Sequence, residues 1–255
     1  MSKPLVTIIT AHAGNSLVGD CLDSVAQQTY DNVQHLVIVD NSDKEDCANY
    51  NSLLELIDDM GSLDYIVQPD IIQLPYSIGK DRWNGHRIYA AGTYIAKGDY
   101  VIFLDDDNYL EPNHIEECMK VIEAGNDWAY SFRNIVDKEH KFLCQDNCES
   151  LGKWASVLHP EDYFIDVNNY FLPKLLAVAI SPIWYRKFRE PGQPEIDRVI
   201  CHALRQIAPK FDSTYQYSVN YTVGNTGLSV QKEFFEKGNA EMLKRFNGDL
   251  PWVKK

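Results

Sequence analysis

The sequence predicts an α/β fold in which a mostly parallel central sheet is flanked by helices. Short apolar runs of strand length alternate with segments whose apolar residues recur at helical spacing. Strands separated by helical segments form βαβ units, and such units build parallel sheets. The chain has 255 residues, of which 45% are hydrophobic, so one large α/β domain can bury a substantial core.

The elements of the first half alternate regularly. Residues 5–9 are an apolar-rich run of strand length, and the apolar residues from Leu17 to Ala26 are spaced three and four apart, as on one helix face. The same two criteria predict further strands at 35–39, 65–67, 100–104 and 128–132, and further helices at 53–57, 88–95 and 115–122.

The second half is less regular. Residues 132–143 turn near Asp137 and predict a hairpin, which a loop-rich stretch follows. A helix is predicted at 195–207 and an alternating strand at 215–223. No Gly/Ser-rich stretch separates the halves, so the boundary near residue 135 is a functional division within one domain rather than a linker.

Three consecutive aspartates, Asp105, Asp106 and Asp107, follow the predicted strand 100–104. Carboxylates just past a buried strand must stay hydrated, accept hydrogen bonds or hold a cation. If the extended conformation continues, Asp105 and Asp107 lie on one face and suit a hard ion such as Mg²⁺ or Mn²⁺ rather than zinc. The alternative is an acidic turn that caps the next helix. The strand-end position favours the metal site, because parallel sheets bind ligands at the carboxyl ends of their strands.

Charge and hydropathy argue against several classes of protein. The net charge is −13, so the chain lacks the overall basic character with which a general nucleic-acid-binding protein neutralises phosphates. The N-terminal apolar run is too short for a signal peptide, and no stretch approaches the roughly 20 apolar residues of a membrane span. We therefore expect a soluble cytoplasmic protein; the sequence does not indicate its oligomeric state.

Four short motifs follow one another along the chain. They are residues 21–25 with 28–30, residues 37–42, Arg87 and 90–92 with 96–100, and residues 103–107. In this order they resemble the motifs of family 2 glycosyltransferases, whose DxD signature matches the aspartate triplet. The resemblance implies the GT-A fold, the Rossmann-like fold of nucleotide-diphospho-sugar transferases, with a C-terminal acceptor-binding lobe. Residues 1–135 would then be the nucleotide-sugar-binding half, and residues 136–255 the acceptor-binding half with the helix of the catalytic base.

The resemblance also implies a reaction and its site residues. The expected reaction is metal-dependent, inverting transfer of a sugar from a UDP-sugar to a hydroxyl of a glycan or other acceptor, with Mn²⁺ or Mg²⁺. Asp40 would contact the nucleoside base, near the backbone of Thr10 and Ala11. The implied nucleotide-sugar-binding residues are Thr10, Ala11, Asp40, Lys80, Arg87, Asp105 and Asp106, and the implied metal ligands are Asp105 and Asp107. The alternatives are a strand-end turn residue for Asp40 and a solvated basic face for Lys80 and Arg87.

An inverting transferase needs a general base, because the acceptor hydroxyl must lose its proton. The family's base, the Asp of a Glu-Asp pair that opens a late helix, matches Asp197; Ile196 replaces the Glu, and Glu195 is the lesser candidate. The alternative is that these acidic residues only stabilise the helix N-terminus. Gly224 stands where the family often has a His that helps hold the diphosphate, and Asn225 is the candidate replacement.

Two other functions share this architecture. A sugar-phosphate nucleotidyltransferase usually opens with a Gly-rich, Arg-containing loop after the first strand, whereas residues 11–15 contain one Gly and no Arg. A non-catalytic nucleotide- or carbohydrate-binding module would not need the aspartate triplet together with Asp197. Pyrophosphate release would identify the first alternative, and absence of nucleotide release would identify the second.

Overall fold

The computed structural model describes residues 3–40, 48–60, 67–75, 77–78, 85–158, 161–186, 196–224 and 230–253. Its helices are α1 (Val18–Ala26), α2 (Ala48–Met60), α3 (His86–Ile95), α4 (His114–Glu123), α5 (Lys174–Trp184), α6 (Ile196–Ile207) and α7 (Lys232–Arg245). Its strands are β1 (Val6–His12), β2 (Val33–Val39), β3 (Pro69–Gln73), β4 (Tyr100–Asp105), β5 (Tyr109–Leu110), β6 (Trp128–Val136), β7 (Phe142–Gln145), β8 (Tyr170–Pro173) and β9 (Phe211–Thr222). A short 3-10 helix, Val167–Asn169, precedes β8.

Within the described residues, the strands form one sheet in the order β3-β2-β1-β4-β8-β6-β9-β5, and β7 pairs with β6. β1, β2, β3 and β4 are mutually parallel, and β6 is parallel to β9. β8 runs antiparallel between β4 and β6, so the strands from both halves of the chain share one sheet. The predicted α/β class with a mostly parallel central sheet is confirmed. The functional division near residue 135 remains a prediction.

The helices cover both faces of this sheet because successive strand residues point to opposite sides. Ile8 of β1 packs in the cluster that contains α1 and α4 side chains, whereas Ile9 packs in the cluster that contains α3, α5 and α6. A Cβ atom at Gly92 of α3 would lie 2.7 Å from Cγ2 of Ile9, so glycine allows α3 to pack close to β1. In the described part of the chain, no helix is long and apolar enough to cross a membrane.

The regular first half follows the sequence pattern with one exception. The predicted helices and the strands at 5–9, 35–39, 100–104 and 128–132 are confirmed, each within a few residues of its observed ends. The strand predicted at 65–67 is wrong at Val67, which precedes β3; residues 65 and 66 lie outside the described residues. Parallel pairing with β2 places β3 at Pro69–Gln73, and a first-position proline is tolerated there because β3 is an edge strand.

The second half contains elements that the pattern did not predict. The hairpin is confirmed as β6 and β7, and the late helix and strand are confirmed as α6 and β9. The predictions did not include α5, whose run from Leu175 is bracketed by Pro173 and Pro182. Pro173 precedes the helix, whereas Pro182 lies in its last turn and lacks the N–H that would donate to the carbonyl of Val178; the hydroxyl of Ser181 donates to that carbonyl instead, at 2.8 Å. The helix α7 and the strands β5 and β8 were also missed.

Candidate functional site

The carboxyl ends of β1, β2 and β4 meet at one edge of the sheet. Ala11 is level with Ile38 of β2 on one side and with Asp105 of β4 on the other. The backbone N–H of Asp40, just past β2, donates to the carbonyl of His12 at 2.8 Å. The strand ends that the sequence singled out are therefore neighbours in space, as expected for a parallel sheet.

Asp105 is held at the end of β4 by two groups that sequence reasoning missed. The hydroxyl of Tyr89 on α3 donates to Oδ1 of Asp105, and Nδ2 of Asn168 donates to Oδ2 at 2.9 Å. The backbone N–H of Asp105 donates to Oδ1 of the same Asn168 at 2.6 Å. Burial, followed by the charge of Asp107, raises the pKa of Asp105 to about 8. A cation bound beside Asp105 would favour its ionised form and would lower this pKa.

The chain turns after Asp105, so the condition under which Asp105 and Asp107 would share one strand face is not met. The strand β4 ends at Asp105, and Asn108 closes a turn by donating its backbone N–H to the carbonyl of Asp105 at 3.2 Å. The side chain of Asn108 also accepts from the N–H of Thr222 at 2.8 Å, which fixes the turn against β9. The two-residue periodicity of a strand therefore does not decide where Asp107 points, although its charge acts on Asp105.

Asp106, predicted in the nucleotide-sugar site, is paired with a residue of β1. Its Oδ2 lies 2.7 Å from Nδ1 of His12, and the side chains are 13% and 3% exposed, respectively. This contact fastens the turn of the aspartate triplet to the neighbouring strand end. Asp106 therefore has a clear structural role in holding the turn.

Asp40 organises the segment that leads towards α3. Its carboxylate accepts from the hydroxyl of Ser77 at 2.8 Å and from the backbone N–H of Ile78 at 2.9 Å. The guanidinium of Arg87 on α3 donates to the carbonyl of Ile78 at 3.4 Å and lies 4.9 Å from the ring centre of Tyr185. Asp40 and Arg87, both predicted to bind nucleotide-sugar, thus converge on the same short segment.

The side chain of Thr10 points into the core. Its hydroxyl lies 3.0 Å from Nε2 of His35 and 3.6 Å from the Cys21 sulfur, and all three residues are buried. Only backbone atoms of Thr10 can contact a ligand at the strand end. The resemblance implied such a backbone contact near the nucleoside base. Lys80, another predicted phosphate contact, lies outside the described residues.

Asp197, the predicted base, is the second residue of α6 and faces α3. Its Oδ1 lies 3.7 Å from Nε2 of His86, the first residue of α3. Sequence reasoning missed His86, which lies three residues before Tyr89 on the same helix face. The lesser candidate Glu195 and the candidate diphosphate ligand Asn225 both lie outside the described residues.

A buried arginine lies behind the site. Arg133 of β6 is 2% exposed and pairs with Asp146 at 2.8 Å, with Glu149 at 2.8 Å and with Asp166. Three carboxylates around one guanidinium leave an excess of negative charge in a desolvated region. Burial raises the pKa of Glu149 to about 7 even though Arg133 opposes the shift.

The Arg133 cluster extends to Asn168, which holds Asp105, and to Arg198, which follows Asp197. On one side, Oδ1 of Asp166 accepts from Nδ2 of Asn168 at 2.7 Å, the residue that also holds Asp105. On the other side, Glu149 accepts from Arg198 at 3.2 Å, and Arg198 follows Asp197 on α6. The spacing of these residues along the chain gave no signal of this network.

The sequence and the fold both resemble those of known proteins. Residues 79–176 match the family model described as glycosyl transferase family 2. No curated protein sequence matches the chain. Among solved structures, residues 1–349 of S. aureus TarS align with a TM-score of 0.61 and 14% identity, covering 94% of this chain and 71% of TarS 1–349. The same TarS region in complex with UDP-GlcNAc gives a TM-score of 0.60 and 16% identity, covering 94% of this chain and 66% of that one.

A longer structure of S. aureus TarS gives a TM-score of 0.60 and 14% identity, and the present chain covers 43% of its length. At these identities the structural likeness shows the fold alone, and the family match covers residues 79–176, which is less than half of the chain. The matched residues 79–176 include α3, β4 and the aspartate triplet, whereas Asp40 and Asp197 lie outside the matched range. Residues 79–176 are thus similar to glycosyl transferase family 2, and the chain has the GT-A fold.

Proposed function

We propose that the chain transfers a sugar from a UDP-sugar to an acceptor hydroxyl with inversion, using Mn²⁺ or Mg²⁺ at Asp105 and Asp107 and Asp197 as general base. One observation carries this proposal: a single helix, α3, contacts both candidate carboxylates. Tyr89 donates to Asp105, and His86, three residues earlier, lies 3.7 Å from Asp197. The donor-side and acceptor-side groups are therefore held by one rigid element, as transfer between two bound substrates requires.

The choice of UDP-sugar as donor is supported by the structural neighbours. TarS of S. aureus has been solved in complex with UDP and with UDP-GlcNAc, and the UDP complex aligns with 96% of this chain. We assign the nucleoside end to Asp40 because its carboxylate lies at the end of β2, beside β1. The acceptor class stays broad: a glycan or another molecule with a free hydroxyl.

The donor set at the strand end fits a hard divalent ion. No group of three or more His, Cys, Asp or Glu residues in the described part of the chain could hold a metal by itself. Mg²⁺ is commonly bound through one or two carboxylates, with water and substrate phosphate oxygens completing its shell. Asp105 and Asp107 match that donor set, and a bound ion would neutralise charge that develops on the leaving diphosphate.

Asp197 would act on the acceptor. In an inverting transfer, the acceptor oxygen attacks the anomeric carbon, the bond to the diphosphate oxygen breaks, and the acceptor proton passes to the base. Asp197 lies at the start of α6 and is 21% exposed, so its carboxylate is reachable from outside the core. Asp105 and Asn168 remain on the donor side of this arrangement.

Incubation with a panel of UDP-sugars and Mn²⁺ tests the proposal, with UDP release as the signal and Glu241→Gln on the exposed surface of α7 as the control. Asp197→Asn keeps the size of the side chain but removes the base, so we expect normal UDP-sugar binding and turnover reduced by roughly 10²- to 10⁴-fold. NMR coupling constants of the product give the anomeric configuration. Retention of configuration, or a fall in turnover below about tenfold, would end the role of Asp197 as base.

A further inference from the structure

The imidazole of His86 is fixed in orientation by the core beneath it. His86 begins α3, and its ring centre lies 5.1 Å from that of Trp184 on α5. Trp184 is fully buried and packs in turn against Phe103 of β4, at 5.6 Å, and against Tyr89, at 6.2 Å. A ring that packs on such a buried cluster has few alternative positions.

The same imidazole is directed at the carboxylate of Asp197. The 3.7 Å between Nε2 and Oδ1 is within ion-pair range and longer than a direct hydrogen bond. The His86 and Asp197 side chains are 12% and 21% exposed, so water screens their attraction only in part. An imidazolium at this distance favours the ionised form of the carboxylate, the form that can accept a proton.

Asp197 requires such a partner because of its place in the fold. The helix α6 begins at Ile196, so Asp197 lies in its first turn, where helix ends fray. A base must stay ionised and aimed at its substrate, and residues held by packing on rigid elements do this best. Arg198 anchors the backbone next to Asp197 through Glu149, and His86 contacts the carboxylate itself.

We infer that His86 is a positioning residue that orients the carboxylate of Asp197 and keeps it ionised. This inference rests on the proposed role of Asp197 as base. His86 acts through Asp197 and does not touch the UDP-sugar, so its loss lowers turnover and leaves donor binding unchanged. Because Tyr89 and His86 share α3, this helix sets the spacing between Asp105 and Asp197.

A double-mutant cycle in the transferase assay tests the inference. His86→Ala is expected to lower kcat by about 10- to 100-fold with unchanged KM for the UDP-sugar, the scale of a misplaced catalytic group. His86→Gln, which keeps an N–H near the Nε2 position, should recover part of that loss. In an Asp197→Asn background, His86→Ala should have no further effect, because it acts through the missing carboxylate. His202→Ala, on the exposed surface of α6, is the control and should retain wild-type kcat.

Equal fold-losses from His86→Ala in the wild-type and Asp197→Asn backgrounds would overturn the inference, as would a wild-type kcat for His86→Ala. These outcomes differ from failure of the proposed function, in which Asp197→Asn itself retains turnover.

A second measurement does not depend on activity. Titratable groups near the imidazole include Asp197 on α6 and, on α3 itself, Arg87 and Tyr89, whereas α5 presents the indole of Trp184. NMR titration of the His86 ring, assigned with His86→Gln, reports its pKa directly. Asp197→Asn should lower that pKa by about one unit or more, since it removes the neighbouring negative charge. An unchanged pKa would refute the coupling.

Discussion

Two histidines buried in the core should make the protein lose stability in mild acid. His35 of β2 and His114 of α4 are both buried, and burial lowers their pKa values to about 3 and about 4. Each ring has a partner: Nε2 of His35 lies 3.0 Å from the hydroxyl of Thr10, and Nδ1 of His114 lies 2.8 Å from that of Ser218. The folded state therefore keeps both rings neutral at a pH where the unfolded chain protonates them.

The sign and size of the effect follow from proton linkage. An unfolded histidine has a pKa near 6.5, so between pH 6.5 and about 4 the unfolded state binds more protons and stability falls as pH falls. Between pH 7 and pH 5, each histidine lowers the free energy of unfolding by about 2 kcal/mol, or about 4 kcal/mol for both. This is a large fraction of the roughly 5–15 kcal/mol that stabilises a typical domain.

Urea denaturation at pH 7 and pH 5 measures this loss. His35→Gln retains a polar group near the Nε2 position and His114→Asn retains one near the Nδ1 position, so the double variant should keep the fold. Its loss of stability between the two pH values should be about 4 kcal/mol smaller than that of the wild type. His202→Gln, on the exposed surface, is the control. Equal losses in the double variant and the wild type would refute the assignment of neutral, buried histidines.

Three further predictions concern the site and its support. Asp107→Ala should abolish metal-dependent UDP binding without unfolding the chain; a UDP-induced thermal shift in Mn²⁺ equal to that of the wild type would contradict the metal assignment. Asp40→Ala should weaken UDP binding by roughly 5- to 150-fold, because the uracil base of UDP loses a hydrogen-bond partner. Calorimetry that finds unchanged affinity for UDP would remove Asp40 from the site. Arg133→Met should lower the free energy of unfolding by about 3–5 kcal/mol, since it leaves buried Asp146 without its counter-charge; a loss below about 1 kcal/mol in urea would contradict that role.

Local sequence pattern determined the elements that the site depends on most. The run 100–104 is strand-forming because five largely apolar residues end at charged ones, and the structure places β4 there. Parallel strands bring their carboxyl ends together, so the neighbourhood of Asp40 and Asp105 followed from the order of strands and helices alone. The helix that carries Asp197 was likewise predictable from the spacing of its apolar residues.

Tertiary structure decided which groups hold these carboxylates. Asn168 is 63 residues from Asp105 in the chain, and His86 and Asp197 belong to different helices, so no local period brings them together. The turn after Asp105 likewise depends on Asn108 and its hydrogen bond to Thr222 of β9, 114 residues away. Apolar residues that recur every 2 residues in a strand, or every 3.6 residues in a helix, specify which face of that element is buried. The partners of a polar side chain on that face are set by how distant elements pack, and only the folded structure contains that information.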